Sequence, residues 1–424
     1  MTRLLLGLLS LAISVSPAVG AELRAAAGRL DITPPLGFPL WGYSVRHDQG
    51  SEGVHDPLEA RILVLEVDKT RVALVGLDLG RAPTRQSMAA IRALVKKSAG
   101  VEHLFLVGSH THNGPVIELD NWPTPKTSYA RELERKLAGG IVAAAKDLAP
   151  ARLGIAARQV PLNRNRHSRR ADAPVDRELL VVRVETPDGK PLAHVVNFAA
   201  HPTMINSKDR KFSADYPGVM RRLVEKQTEA PCLFLQGAGG DLSPNPPDRE
   251  SANPAGFGAA LGKQVLELDK TIRCAVGKDT MLKCRERDFR FKSQIDMDNP
   301  LIHTAYSLAF FPGLIDFYAR EYREGIRPHL TTAILDGKIG IVGVSGEFFC
   351  AHSLRLKQRA RLEHLLFLGY CNDYQQYFPT IEAIAEGGYG ADAKMSPVEV
   401  GAGEQVMDRA LRDLYEMRGK IESR

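Results

Sequence analysis

Apolar residues along this chain gather in short runs of strand length, separated by segments with helical spacing. Gly28–Pro35 reads as a short strand closed by Pro34-Pro35, and Leu58–Val67 alternates as a half-buried strand does. Arg71–Leu79 follows as a second apolar strand. Between Arg81 and Gly100, Met88, Ile91, Leu94 and Val95 fall on one helical face, and the glycine ends it. Leu104–Val107 is a buried strand stopped by Gly108-Ser109. Ser128–Leu148 has the pattern of an amphipathic helix, and Leu179–Glu185 and Ala193–Ala200 are strands around a Pro187-Asp188-Gly189 turn. Tyr216–Lys226 and Pro254–Asp269 read as helices on either side of the strand Cys232–Leu235. Thr280–Phe291 and Thr331–Gly346 read as strands, the second folded back at Asp336-Gly337. The aromatic stretch Ile302–Arg323 predicts a helical cover over the core or a wall for an apolar substrate. Leu365–Tyr370 is a last strand, and Val406–Ile421 a closing helix.

Alternating strands and helices predict an α/β fold: a mixed β-sheet core flanked by helices, with the active site at strand ends. No internal repeat, low-complexity tract or linker is visible, so residues 21–424 are expected to form a single domain.

Charge and cysteine usage narrow the function classes. A net charge of +6 over 424 residues is small, and hydrophobic (44%) and charged (25%) fractions are ordinary for a globular protein. The basic run Arg164, Arg166, Arg169, Arg170 has no nucleic-acid motif beside it, so it reads as a solvated face and no nucleic-acid partner is expected. Residues 1–20 have the build of a signal peptide: Arg3, an apolar Leu4–Val15, then Ala18-Val19-Gly20 before Ala21. Export, periplasmic or secreted, after cleavage near Gly20 is the expectation. The five cysteines (Cys232, Cys274, Cys284, Cys350, Cys371) show no CxxC spacing, and their odd number leaves at least one thiol unpaired within the chain.

Several predicted strands end in residues suited to chemistry. The run Leu104–Val107 delivers Ser109-His110-Thr111-His112-Asn113-Gly114-Pro115, and residues two apart on a strand share a face, so His110 and His112 can enter one site. Imidazoles so placed suit a transition metal or proton transfer. Ala193–Ala200 ends in His201-Pro202, and Ile339–Val344 ends in Ser345-Gly346-Glu347. Cys232–Leu235 leads into a glycine-rich turn carrying Ser243, which is neither a GxSxG elbow nor a phosphate-binding GKS/T loop.

Taken in order, Gly28–Thr33, Gly53–Glu66, Ser109–Pro115, Leu162–Arg164, Asn197–Thr203, Gly237–Asn245, Gly346-Glu347 and Asn372–Thr380 resemble the catalytic N-terminal domain of the neutral, non-lysosomal ceramidases. The resemblance implies one zinc ion per chain, held by His110, His201, Glu347 and Tyr377. It implies Ser243 as the nucleophile or as a group positioning water and substrate, and His112 as the proton carrier. Tyr389 is implied as a catalytic residue at the amide, and Arg164 and Asn113 as substrate contacts. The substrate class implied is a lipid or other N-acyl amide, compatible with peripheral contact at a membrane surface. Three departures from the family pattern stand out. The chain stops where the family's C-terminal β-sandwich would begin, so that domain is not expected. Asn165 stands where the family has serine, and Glu382–Gly390 is compressed. A zinc amidase or esterase for a different N-acyl compound, and an exported binding protein without activity, are the competing readings.

Overall fold

The computed structural model describes residues 22–124, 126, 128–275 and 280–422; the expected signal segment lies outside them. Among the described residues, three sheets dominate. The first runs in the order His103–Gly108, Thr70–Leu77, Glu59–Val67, Leu23–Asp31, with the short Ala149–Pro150 at the edge. The second runs Cys232–Gln236, Pro191–Phe198, Glu178–Glu185, Arg152–Gln159. The third runs His364–Leu368, Ile339–Val344, His329–Leu335, Leu282–Asp288.

All three share one connectivity. Three successive strands pair antiparallel, a helix crosses over, and a fourth strand pairs parallel with the third. The crossover helices are Arg85–Ala99, Asp215–Thr228 and Cys350–Ala360. Parallel strands need such a helical crossing, which covers the outer face of each sheet. The sequence carries no visible trace of this threefold repeat.

The sheets turn their other faces toward one another. Leu63, Leu74 and Phe105 of the first, Val182, Val195 and Leu235 of the second, and Ala333, Ile341 and Leu366 of the third fill one central cluster. Helices Arg85–Ala99 and Tyr129–Lys146 close the outside of the first sheet, and Asp215–Thr228 and Pro254–Asp269 that of the second. Where the sheets meet, buried amides tie backbone to backbone. Asn197 Nδ2 donates to the carbonyls of Leu235 and Phe367, at 2.8 and 3.0 Å. Asn372 Nδ2 donates to Leu104 and its Oδ1 accepts from the Leu106 amide at 2.9 Å. Gln236 Nε2 donates to the carbonyls of Ser109 and Ala200, at 3.0 and 2.8 Å. Buried polar groups that are fully paired fix a unique arrangement, and these three fix the seam above which the site lies.

Local predictions hold where short-range chemistry decides. Thr84 caps the helix Arg85–Ala99 by accepting from the Ser87 amide, and Gly100 ends it at φ 62°. Asp336 and Gly337, at φ 52° and 67°, make the tight hairpin turn. Two expectations change. Ile302–Arg323 is two helices, Pro300–Ala309 and Pro312–Arg323, because Pro312 cannot continue a helix and instead opens the next. Asn163–Asn165, at the start of the basic run expected as a solvated face, is a strand paired antiparallel with Leu242–Pro244. All five cysteines are free thiols.

Candidate metal centre

The repeat brings the ends of its third and fourth strands together above the seam. His110 follows His103–Gly108, His201 follows Pro191–Phe198, Glu347 follows Ile339–Val344, and Tyr370 and Tyr374 follow His364–Leu368. The side chains of His110, His201 and Glu347 are buried at 2% exposure or less. Glu347 Oε2 lies 3.4 Å from His110 Nε2 and 3.1 Å from His201 Nε2. The ligand nitrogens of His110, His112 and His201 all lie within 4.8 Å of one another.

His110 and His112 reach the site differently from the strand-face expectation. The strand ends at Gly108, and His110 sits in a loop with φ 69°. Its amide donates to the Leu79 carbonyl at 3.0 Å, and its Nδ1 to the Gly80 carbonyl at 2.8 Å. That bond makes Nδ1 the protonated nitrogen and leaves Nε2 a bare lone pair. His201 is oriented the same way: Nδ1 faces the carbonyls of Gly239 and Leu242 at 2.7 and 3.2 Å. Burial pushes His110 down to about 3, and drives His112 and His201 well below the ordinary imidazole value. All three are therefore neutral near pH 7, the form in which imidazole binds a metal.

Unprotonated imidazole nitrogens facing a carboxylate oxygen are acceptors opposed to acceptors, and they call for positive charge among them. With bonds of ~2.0–2.2 Å, ligand atoms of a tetrahedral site lie about 3.3–3.6 Å apart. The 3.4 Å spacing from Glu347 Oε2 to His110 Nε2 falls in that range, and the 3.1 Å spacing to His201 Nε2 is slightly tighter than it. Tyr370 OH donates to Glu347 Oε2 at 3.3 Å and Tyr374 OH to Oε1, holding the carboxylate still. Tyr377 stands beside Glu347 in a short parallel ladder. Burial and then Glu347 keep its phenol well above the ordinary value, so it is protonated near neutral pH.

Around this core sit the other predicted residues. His112 Nε2 is 3.4 Å from His110 Nε2, and its Nδ1 is buried with no partner. The rings of Tyr43 and Trp41 meet it edge-on at 4.7 and 5.7 Å. Ser243 lies directly opposite Arg164 in the ribbon with Asn163–Asn165, Arg164 exposed and Ser243 half-buried. The residue before it supplies the Leu242 carbonyl that His201 uses. Tyr389 is 61% exposed, with its ring 5.9 Å from that of Tyr377 at the rim. Asn113 is buried, donating to the Lys211 carbonyl at 2.8 Å and accepting from Arg46 at 3.3 Å, bonds that hold the histidine loop.

One side chain that the sequence presents only as part of a basic run reaches the centre. Arg166 Nη2 lies 2.8 Å from His201 Nε2, 3.1 Å from Tyr377 OH and 3.0 Å from the Gly240 carbonyl. Burial works against its charge, but Tyr377, Glu347, Tyr370 and Tyr389 outweigh it and keep it cationic.

The family model described as neutral/alkaline non-lysosomal ceramidase, N-terminal, matches residues 24–255, more than half of the chain. The chain belongs to that ceramidase family. Its curated relatives include neutral ceramidase A of Dictyostelium discoideum, 28% identical over 259 residues, which are 53% of this chain and 36% of the relative. Neutral ceramidase B of the same organism is 27% identical over 170 residues, 34% of this chain and 24% of that one. The chain thus spans about a third or less of the curated relatives it matches. The fold is that of the solved neutral ceramidase from Pseudomonas aeruginosa, with a TM-score of 0.75 at 19% identity, covering 95% of this chain and 76% of that one. A ceramidase complexed with C2 superposes with a TM-score of 0.77 at 18% identity, over the same shares. Within the ceramidase match lie His110, His112, His201 and Ser243; Glu347 and Tyr377 come from beyond it.

Proposed function

We propose that this chain is a zinc-dependent hydrolase of N-acyl amides, cleaving ceramide-like substrates into a fatty acid and a sphingoid base. The observation that carries the reading is the convergence of three buried lone-pair donors, His110 Nε2, His201 Nε2 and Glu347 Oε2, at 3.1 and 3.4 Å about the carboxylate oxygen. Family membership and the names of the relatives support the amide and the lipid. Two nitrogen donors and one carboxylate, with the Tyr377 phenol alongside, are the donor types that suit Zn²⁺. When bound, zinc supplies Lewis acidity that polarises a carbonyl and acidifies water.

The remaining roles belong to side chains. His112, neutral and with its Nε2 turned to the centre 3.4 Å from His110 Nε2, takes a proton from the attacking group and returns it to the leaving amine. The amide C–N bond breaks, water's hydroxyl ends on the acyl carbon, and its proton ends on the nitrogen. Tyr389 at the rim and Arg164 opposite Ser243 orient the amide. Ser243 either attacks to form an acyl-enzyme or positions water and substrate hydroxyls.

Metal analysis tests the reading: one zinc per chain, lost together with turnover in His110→Ala. Hydrolysis of N-acyl sphingosines compared with shorter N-acyl amines tests the substrate class. Trapping an acyl group on Ser243 decides for attack, whereas turnover surviving in Ser243→Ala decides against it. Export is part of the same proposal, and N-terminal sequencing of the mature protein checks it.

A further inference from the structure

We propose that Arg166 is a built-in competitor of the metal: its guanidinium neutralises the ligand set in the ion-free protein and must withdraw for an ion to bind. The inference rests on the metal reading above and concerns what stands in the ion's place.

His201 has one lone pair to give, because its Nδ1 faces the carbonyls of Gly239 and Leu242. Arg166 Nη2 takes that lone pair at 2.8 Å. A nitrogen lone pair serves one partner, so a metal at His201 Nε2 excludes this hydrogen bond. The same Nη2 lies 3.1 Å from the Tyr377 hydroxyl, another proposed ligand. Without Arg166, the acceptors His201 Nε2 and Glu347 Oε2 would face each other at 3.1 Å, buried and with no positive charge between them. Guanidinium and metal ion thus answer the same electrostatic demand. A divalent ion beside a fixed guanidinium is repelled, so the two alternate.

The structure supplies a seat for the withdrawn side chain. The Arg166 amide is fixed to the Asp241 carbonyl at 2.8 Å, which leaves the side chain as the moving part. Its guanidinium carbon already lies 5.8 Å from the ring centre of Tyr389, whose face is a cation–π platform at the rim. Withdrawal toward Tyr389 frees His201 and Tyr377 and carries a positive charge to the mouth of the site.

Zinc affinity of chelator-stripped protein, measured by competition with a chromophoric chelator, tests this in Arg166→Met and wild type. The competitor role requires the variant to bind zinc about tenfold or more tightly, whereas loss of a supporting neighbour weakens affinity by about 10–100-fold. It also requires the ion-free variant to melt below the ion-free wild type, with the difference narrowing once zinc is added. Unchanged or weaker affinity in the variant overturns the proposal while leaving the metal centre standing. Failure of both proteins to take up zinc removes the metal reading, and this inference with it. If Arg166→Met does not fold, Arg166→Gln, which also lacks the charge, gives the same reading.

Discussion

Glu347 and Tyr377 face each other across a two-residue parallel ladder, so the carboxylate and the phenol enter the centre from adjacent backbone positions. Neither approaches the other through flexible loops. Tyr370 and Tyr374 each donate a hydrogen bond to the carboxylate, one to either oxygen. Glu347→Gln preserves the shape but removes the charge and one acceptor, so one of the two tyrosines keeps its bond to the remaining carbonyl oxygen while the other must accept from the new amide nitrogen. Zinc affinity is expected to fall by more than about 100-fold, beyond the usual effect of outer partners, with the fold intact. Metal content and circular dichroism of the purified variant check both halves, and a variant that keeps its zinc removes Glu347 from the ligand set.

His112 and His110 are neighbours in sequence with different expected losses. His110 Nδ1 is anchored on Gly80, whereas His112 Nδ1 has no partner. His112→Ala is expected to lower turnover by about 10²–10⁴-fold, the range for a lost proton carrier, while retaining zinc. His110→Ala is expected to lose both. Parallel metal analysis and kinetics separate the two, and zinc loss in His112→Ala makes that residue a ligand instead.

Gly42 is needed for the placement of His112. A Cβ there would stand 2.4 Å from His112 Cγ, and the glycine has φ +98°, which L side chains seldom adopt. Gly42→Ala is expected to push the imidazole aside and cost about 1–3 kcal/mol of stability, as overpacking does. Denaturant unfolding measures the stability and a steady-state assay the activity; a variant with wild-type turnover contradicts the role given to His112's position.

Far from the centre, Arg61 and Glu225 form a paired contact at 2.6 and 2.9 Å, with side chains 2% and 18% exposed. Burial works against the Glu225 charge, but Arg61 and the Cys232 amide outweigh it and hold the carboxyl below its ordinary value. The stabilisation is therefore complete above the ordinary glutamate value of about 4.3 and is lost as pH falls through the lower folded value. Glu225→Gln is expected to cost about 3 kcal/mol near neutral pH, the low end for a broken buried pair because Glu59 still meets Arg61 at 2.8 Å. Urea unfolding at neutral and acid pH checks this; a gap between variant and wild type that does not shrink in acid is the contrary result.

Residues whose position follows from short-range patterns were legible in the sequence. The helix Pro254–Asp269 begins and ends where its proline and periodicity indicate. The strand ends carrying His201 and Glu347 could be found because an apolar run stops at each of them. Arg166 was not legible: it lies in a basic run, and only the pairing of Asn163–Asn165 with Leu242–Pro244 carries it to His201. Tyr370 and Tyr374 were hidden for a similar reason, since their partner Glu347 lies 23 and 27 residues away. The threefold repeat is not visible in the sequence because it lies in connectivity and strand order, which need no shared residues.

That repeat gives a metal ion a mechanical as well as a chemical part to play. An ion held by His110, His201 and Glu347 would clasp one element from each of the three sheets, a cross-link that the unfolded chain cannot make. By mass action, free zinc at a hundredfold excess over its dissociation constant then adds about 2.7 kcal/mol to folding. With zinc bound as proposed, resistance to heat and proteolysis would become a property of the surrounding medium, rising and falling with the zinc it offers.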